Sequence, residues 1–377
     1  MRAIVDARLL HYDRAGIGRY LRHLYHAMAE VNAGAGSSST LQIEMLYHRK
    51  DRGRVLRPFW PVEHIAWTPP HHRLERLALA SELCRLRPSL VHAPDHVCPQ
   101  PLGWRTVLTV HDLAFWRRPE SYAPESRQYY QGIRRSVRQA DRIICVSNAT
   151  KNDLLELTGV SPSKVRVVYE APDPAYVVGE TPDPADDAAV STRPYFLFVG
   201  TLEPRKNLTG IITSFAQLQK QLDVTGADKR PELLLIGAER KGSPSIKGLP
   251  EQLGIAGDVR FLGHLPTPTV AALYRGALAL VYPSFLEGFG LPIVEAMASG
   301  APVITANCSS MPEVAGKAAI LVDPHDSQAL TAAMIRVARD SELRRQMRAL
   351  GLAQAAKFSW QRAARETLAV FEEALSA

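Results

Sequence analysis

The sequence predicts an α/β protein of two Rossmann-like domains, each a parallel sheet covered by helices. Three observations carry this. Short apolar runs alternate with longer helical patterns along the whole chain. Those runs are apolar throughout rather than alternating, so both faces of each sheet must be covered. Finally, the stretch 170–194 is rich in Pro, Asp and Ala and lacks periodicity, which divides the pattern into two similar halves.

In the first half, β-branched and aromatic runs place strands at 3–7, 41–48, 62–67, 90–94, 106–110, 142–147 and 164–169. A helix is expected over 17–31, where Leu21, Leu24, Tyr25 and Met28 share one face. A second is expected over 122–140, after a Pro-Glu start. A third spans 147–159, opened by a Ser or Asn cap and closed by Gly159. "GAGSSS" (34–39) reads as a small flexible loop. The second half repeats the rhythm, with strands at 195–200, 232–237, 259–263, 277–283, 302–306 and 319–323. The expected domains are 1–172 and 194–359, joined by an exposed linker over 173–193.

Bulk composition narrows the class. The chain has 377 residues, 46% apolar and 22% charged, as soluble globular proteins do. The net charge is +7, and residues 1–170 hold 25 Lys/Arg against 16 Asp/Glu. A basic first half suits an anionic partner (a phosphorylated substrate, a lipid surface, a nucleic acid) or is simply an arginine-rich solvated face. No aromatic-basic motif supports the nucleic acid. Cys84, Cys98, Cys145 and Cys308 form no C-x-x-C pair, which argues against zinc and disulfides and fits a reducing cytosol. "MRAIVDARLL" is broken by charges and is not read as a signal peptide, and no window reaches 18 apolar residues.

The most informative stretch is "FLEGFGLPIVEAMASG" (285–300). Pro292 suits the first turn of a helix and Gly300 its end. Gly288, Phe289 and Gly290 then lie between a strand's C-terminal end and a helix's N-terminus, where unpaired N–H groups and the helix dipole favour phosphate. Glu287 and Glu295 cannot bind phosphate but suit hydroxyls. Glu295 fits a ribose diol and Glu287 a second sugar beyond the diphosphate. The plainer reading is a helix start with favourable acids. "FVGTLEPRKNLTGIITSF" (198–215) again runs strand, loop, helix, with Arg205 and Lys206 at the helix entry. Two cations there want an anion, which a diphosphate supplies; a surface Arg-Lys pair is the alternative.

"GTLEPRKNL", the run from "GHLPTPTVAALYRG" to "AAILVDP", and the closing "FSWQRAARETLAVFEEAL" together resemble the retaining GT-B glycosyltransferases of family 4. The resemblance spans nearly the whole chain, and its most specific part is Glu287-x7-Glu295. It implies two Rossmann-like domains facing across a cleft, with the nucleotide-sugar donor in the C-terminal one and the last helix (360–377) returning to the first. It implies that Arg205 and Lys206 neutralise the diphosphate, Glu295 binds the ribose and Glu287 contacts the transferred sugar. Gly288, Phe289, Gly290 and Leu291 would offer backbone amides, His264 and Leu265 would lie beside the base, and Thr201 and Ser284 would line the donor site.

In the first domain, "DARLLHYDRAGIGRYLRHL" (6–24) puts Gly16 and Gly18 between strand and helix, but with too long a loop and no third glycine for a dinucleotide fingerprint. The resemblance makes this a glycine loop near the diphosphate and acceptor. His111, at the end of a buried strand, would hydrogen-bond the donor sugar, with Asp112 orienting the loop or the ring. His92, Asp95 and His96 are weaker acceptor-side candidates, and His71-His72 has no supporting context.

The expected chemistry is glycosyl transfer with retention, without cofactor and without metal, since no Asp-x-Asp is present. The opening and "VHDLAFWRRPESY" look most like bacterial mannosyltransferases of polysaccharide assembly, which implies GDP-mannose; UDP-sugars stay open. The acceptor is a saccharide or a lipid-linked one. Arg134, Arg135, Arg138 and Arg142 would suit peripheral contact of a cytoplasmic protein with an anionic membrane. The rival readings are an epimerase or phosphorylase of the same fold, or a silent binding subunit.

Overall fold

The computed structural model describes residues 1–12, 16–34, 41–51, 62–72, 74–122, 129–177, 191–223, 230–240 and 244–377. It divides into two compact units, Met1–Glu170 with Ser359–Ala377, and Ala171–Phe358. The loop expected at 34–39 falls almost wholly outside the described residues, as does 178–190 of the expected linker.

The first unit is built on seven strands: β1 (Arg2–Asp6), β2 (Gln42–His48), β3 (Glu63–Ala66), β4 (Leu90–Ala93), β5 (Arg105–Val110), β6 (Arg142–Cys145) and β7 (Val165–Val167). All pair in parallel, in the order β3-β2-β1-β4-β5-β6-β7. The second has six: β8 (Tyr195–Val199), β9 (Glu232–Ile236), β10 (Val259–Gly263), β11 (Ala279–Tyr282), β12 (Val303–Ala306) and β13 (Ala319–Val322). Their order is β10-β9-β8-β11-β12-β13, again all parallel. Both sheets reverse direction of addition once, between β1 and β4 and between β8 and β11. Those are the topological switch points, where open parallel sheets bind ligands beyond their strand C-termini. The thirteen apolar runs of the sequence are these thirteen strands, with ends that agree to within two residues.

Helix α1 (Gly16–Gly34) buries the predicted face, Leu21, Leu24, Tyr25 and Met28. Each such side chain contributes about 1.5–3 kcal/mol. Gly16 and Gly18 form the first turn of this helix rather than a loop; the preceding residues 13–15 are outside the described set. Helix α2 (Glu75–Leu86) follows β3. Helix α3 (Asn148–Thr158) is capped as its sequence dictates: the Ser147 side chain accepts from the Thr150 N–H, and Gly159 ends it at φ 67°.

Three expectations need correction. The helix over 122–140 is broken by a turn at Gln131 and Gly132, and its regular end is only Ile133–Gln139. Glycine in a helix interior costs about 1 kcal/mol, so the break falls there. The start of the linker is exposed at Pro174, Ala175 and Val177 but not throughout: Pro174–Tyr176 forms a turn whose Tyr176 is buried edge-on to Tyr274, the Tyr176 carbonyl accepting from Ser299 at 2.9 Å. The basic cluster is also smaller than expected. Arg134, Arg135 and Arg138 are exposed, but Arg142 lies in β6 and pairs with Glu373 at 3.1 Å.

That glutamate belongs to α4 (Trp360–Leu375), which packs on α1 within the first unit. Trp360 stacks on His23, and Phe371 is buried against His92. Among the described residues, no helix is long and apolar enough to cross a membrane.

Candidate active site

In the second unit, two loops leave the strands flanking the switch point. After β8 come Gly200 and Thr201, then a turn over Pro204–Lys206 and helix α5 (Leu208–Asp223). After β11 come Ser284, the loop through Gly288 and helix α6 (Leu291–Ala298). The loops touch: the Phe285 N–H donates to the Arg205 carbonyl at 3.0 Å.

Three charged side chains meet there. The Lys206 ammonium, buried, donates to Glu287 Oε1 and to the Tyr282 hydroxyl, both at 2.6 Å. The Arg205 guanidinium donates to Glu287 Oε2 at 3.1 Å, to the Leu286 carbonyl at 2.7 Å and to Glu203 at 2.8 Å. Glu203 also receives Arg240 at 2.6 Å. Burial alone would raise the Glu287 carboxyl, but Lys206 and Arg205, with help from Ser284, hold it down to about 2. Burial and then the Arg205 charge lower Lys206 below its ordinary value. Three cations face two carboxylates, so the cluster holds one positive charge in excess.

The carboxylate loop is fixed from behind. Ser309 and Ser310 donate to the Glu287 carbonyl at 2.6 and 3.0 Å, and Ser310 also to the Phe289 carbonyl at 2.8 Å. Gly290 sits at φ 102°, a conformation side chains resist, and a Cβ there would crowd Ile293 at 3.1 Å. Pro292 occupies the first turn of α6, Glu295 is buried in its second, and Gly300 follows its end at φ 79°. Gly288 and Phe289 are buried, with Phe289 edge-on to Phe358. Leu291 and Leu265 are half-buried, while Thr201 and His264 are exposed. His264 follows β10, the edge strand of the sheet, with β9 between it and β8.

His111 lies in the first unit, one residue past β5. Its Nδ1 is 3.1 Å from Glu170 and its Nε2 3.0 Å from the Pro94 carbonyl. Tyr20 meets the ring edge-on. Asp112 caps the next turn, accepting from the Ala114 N–H at 2.9 Å, so it orients the loop and not the ring. His92 is fully buried, bonded to Tyr25 and to Thr109, and burial lowers it to about 3; it is a core residue, not an acceptor contact.

Sequence reasoning missed Glu203, Arg240, Tyr282, Ser309, Ser310 and Glu170. Glu203 was within reach, being two residues before Arg205. The others meet the site only through the fold.

The model for glycosyl transferases group 1 matches residues 180–352, and that for glycosyltransferase family 4 matches residues 15–176. The chain is 30% identical to the O-antigen chain mannosyltransferase B of Escherichia coli, covering 99% of this chain and 100% of the relative. It is 31% identical to the MMP alpha-(1->4)-mannosyltransferase of Mycolicibacterium hassiacum, over 96% and 95%. The sucrose-phosphate synthase of Thermosynechococcus elongatus shares the fold, with a TM-score of 0.77 at 19% identity over 100% and 99% of the two chains. The chain belongs to the group 1, family 4 glycosyltransferases and is an enzyme of that class with the GT-B architecture.

Proposed function

We propose that the enzyme transfers mannose from GDP-mannose, with retention of anomeric configuration, to a hydroxyl of a saccharide or lipid-linked acceptor. The mannosyltransferase names of the relatives support the sugar. The observation that carries the chemistry is the buried Arg205–Lys206–Glu287 cluster with its excess positive charge. A diphosphate entering the switch point completes that charge. In this reading Arg205 and Lys206 stabilise the leaving diphosphate without reorganising, in a site where burial strengthens their field. Glu287 turns to the transferred sugar, Glu295 to the ribose, and the amides from Gly288 to Leu291 to phosphate and sugar. Thr201, Ser284, His264 and Leu265 complete the donor site. Gly16 and Gly18, at the start of α1, keep the backbone accessible to the ligand.

The acceptor hydroxyl attacks the anomeric carbon on the leaving group's side. The new C–O bond forms as the bond to the diphosphate breaks, and a diphosphate oxygen takes the hydroxyl proton. His111 donates to a sugar hydroxyl, which requires its Nε2 to exchange the Pro94 carbonyl for substrate. The fixed cations supply the charge a metal would, so neither metal nor cofactor is needed.

Incubation with GDP-mannose or UDP-glucose and a mannoside acceptor, with and without EDTA, tests this. GDP release and an α-linked product by NMR, unchanged by EDTA, are expected. A β-linked product refutes retention; turnover of UDP-glucose alone refutes the donor; loss with EDTA and rescue by manganese refute metal independence.

We further propose a cytoplasmic protein that touches anionic membrane through Arg134, Arg135 and Arg138, which are exposed. Co-sedimentation with phosphatidylglycerol vesicles that persists after all three are changed to Gln overturns this.

A further inference from the structure

Glu170 faces His111 and has no part in the reading above. It is the last residue of the first unit, three past β7, and it meets the residue that follows β5, two strands away in the sheet. We propose that Glu170 is a positioning residue for transfer: it holds a proton on His111 Nδ1 and favours the doubly protonated ring, whose Nε2 can then donate to the donor sugar. This rests on the transferase reading, in which His111 contacts that sugar.

Both ring nitrogens face acceptors. Nδ1 is 3.1 Å from Glu170 Oε1, and Nε2 is 3.0 Å from the Pro94 carbonyl. A carbonyl only accepts, as does a carboxylate, and a neutral imidazole has one N–H to give. The neutral ring therefore turns a lone pair toward one of the two oxygens. A ring with a proton on each nitrogen satisfies both.

The carboxylate needs that proton as much as the ring does. Glu170 is 5% exposed. Among the described residues, His111 is the one partner of its side chain in a hydrogen bond or ion pair. A carboxylate withdrawn from water requires a cation beside it, and the charged ring supplies one. The other titratable groups near the ring do not compete. Tyr20, from α1, meets the ring edge-on, and burial raises its hydroxyl and keeps it neutral. His92, from β4, is held neutral by burial. Asp112 is turned to the Ala114 N–H, and His96 is committed to Asp95 and to the Asp112 carbonyl.

The ring is also set in one place. Tyr20 packs against it, and the Thr150 hydroxyl donates to the His111 carbonyl at 3.2 Å. The His111 side chain is 14% exposed and that of Glu170 7%. Glu170 thus acts behind the ring, anchoring Nδ1 while Nε2 exchanges the Pro94 carbonyl for a sugar hydroxyl.

Steady-state transfer against pH tests this, with GDP-mannose or UDP-glucose, whichever the wild type turns over. Glu170→Gln keeps the shape and an acceptor but removes the charge. Its kcat on the alkaline side should fall by about tenfold, with the donor KM within about twofold. The alkaline limb of kcat should move to lower pH by about one unit or more, so that turnover recovers on the acid side. Glu170→Asp keeps the charge and loses the fit, and should turn over faster than Glu170→Gln. An unmoved limb, or Glu170→Gln outperforming Glu170→Asp, marks a merely structural pair and overturns the proposal. Nitrogen-15 spectra of the wild type need no Glu170 variant; the His111 signals are those lost in His111→Asn. They should show a proton on Nδ1, and a lone pair there overturns the proposal whether or not Glu170→Gln folds. A proton on Nδ1 in a wild type that turns over no nucleotide sugar refutes the transferase reading and leaves the Glu170–His111 pair standing.

Discussion

The crevice between β1 and β4 and the crevice between β8 and β11 occupy the same place in sheets of like topology, yet their carboxylates behave oppositely. Glu287 and Glu75 are both buried, and burial pushes each carboxyl upward. Glu287 meets two cations and falls to about 2. Glu75 shares one cation, Arg8, with Asp6, and stays raised. The ratio of cations to carboxylates, not depth, decides the outcome. One architecture therefore supplies a site short of an anion and a site rich in acceptors. The difference lies in the side chains each crevice receives, Glu75 from the start of α2 and Glu287 from the loop after β11.

Removing one cation from each crevice gives the largest expected effect. Arg8→Met leaves Asp6 and Glu75 buried without the cation they share and should cost about 3–5 kcal/mol. Lys206→Met leaves Glu287 with Arg205, so its loss should be smaller, about 1–3 kcal/mol. Transfer should respond the other way in folded protein, with Lys206→Met down roughly 10²-fold or more as stabilisation of the leaving group is lost. Urea melts and single-turnover rates check both. Lys206→Met as the less stable variant, turning over normally, would reverse the comparison. The same logic makes Arg205→Ala a poor stability-neutral probe, because Glu203 and Glu287 both lean on it.

The two crevices also differ in how far the sequence reveals them. Strands are legible throughout because a sheet covered on both faces demands unbroken apolar runs, as in "YFLFV" and "ELLLI". Glu287, Arg205 and Lys206 are legible because each lies in a short strand–loop–helix stretch whose local physics already calls for a ligand. The first crevice, lined by Asp6, His71, Asp95 and Tyr129, is assembled from separate segments with no local signal joining them. His71 therefore reads as isolated in sequence, although its backbone is held by Glu75 four residues on. Glu170 reads as the start of a linker, although it is the carboxylate facing His111. Ser309 and Ser310 lie some twenty residues from the loop they fix, across strand β12. Pairings of that kind come from the register of parallel strands, which local pattern does not encode.

Alkali should separate the crevices by a smaller margin. His96 is buried between the Asp95 carboxylate and the Asp112 carbonyl, with the rings of Phe115 and Tyr130 edge-on to it. Burial opposes its charge, but Asp95 outweighs burial and raises the imidazole to about 9. A raised basic group stabilises the fold fully below its unfolded value, near 6.5, and the contribution fades as pH rises through about 9. His71, also raised by Asp95, acts in the same direction. In the second unit Glu287 is ionised throughout that window and contributes no slope, while the lowered Lys206 favours stability as pH rises. Unfolding free energy should therefore fall by roughly 2–4 kcal/mol between pH 6.5 and 9, through the first unit. His96→Gln should be less stable at pH 6.5 and nearly flat across the window. Denaturant melts at three pH values measure both chains, and an unchanged slope in His96→Gln would show that the Asp95–His96 pair does not set the alkaline limb.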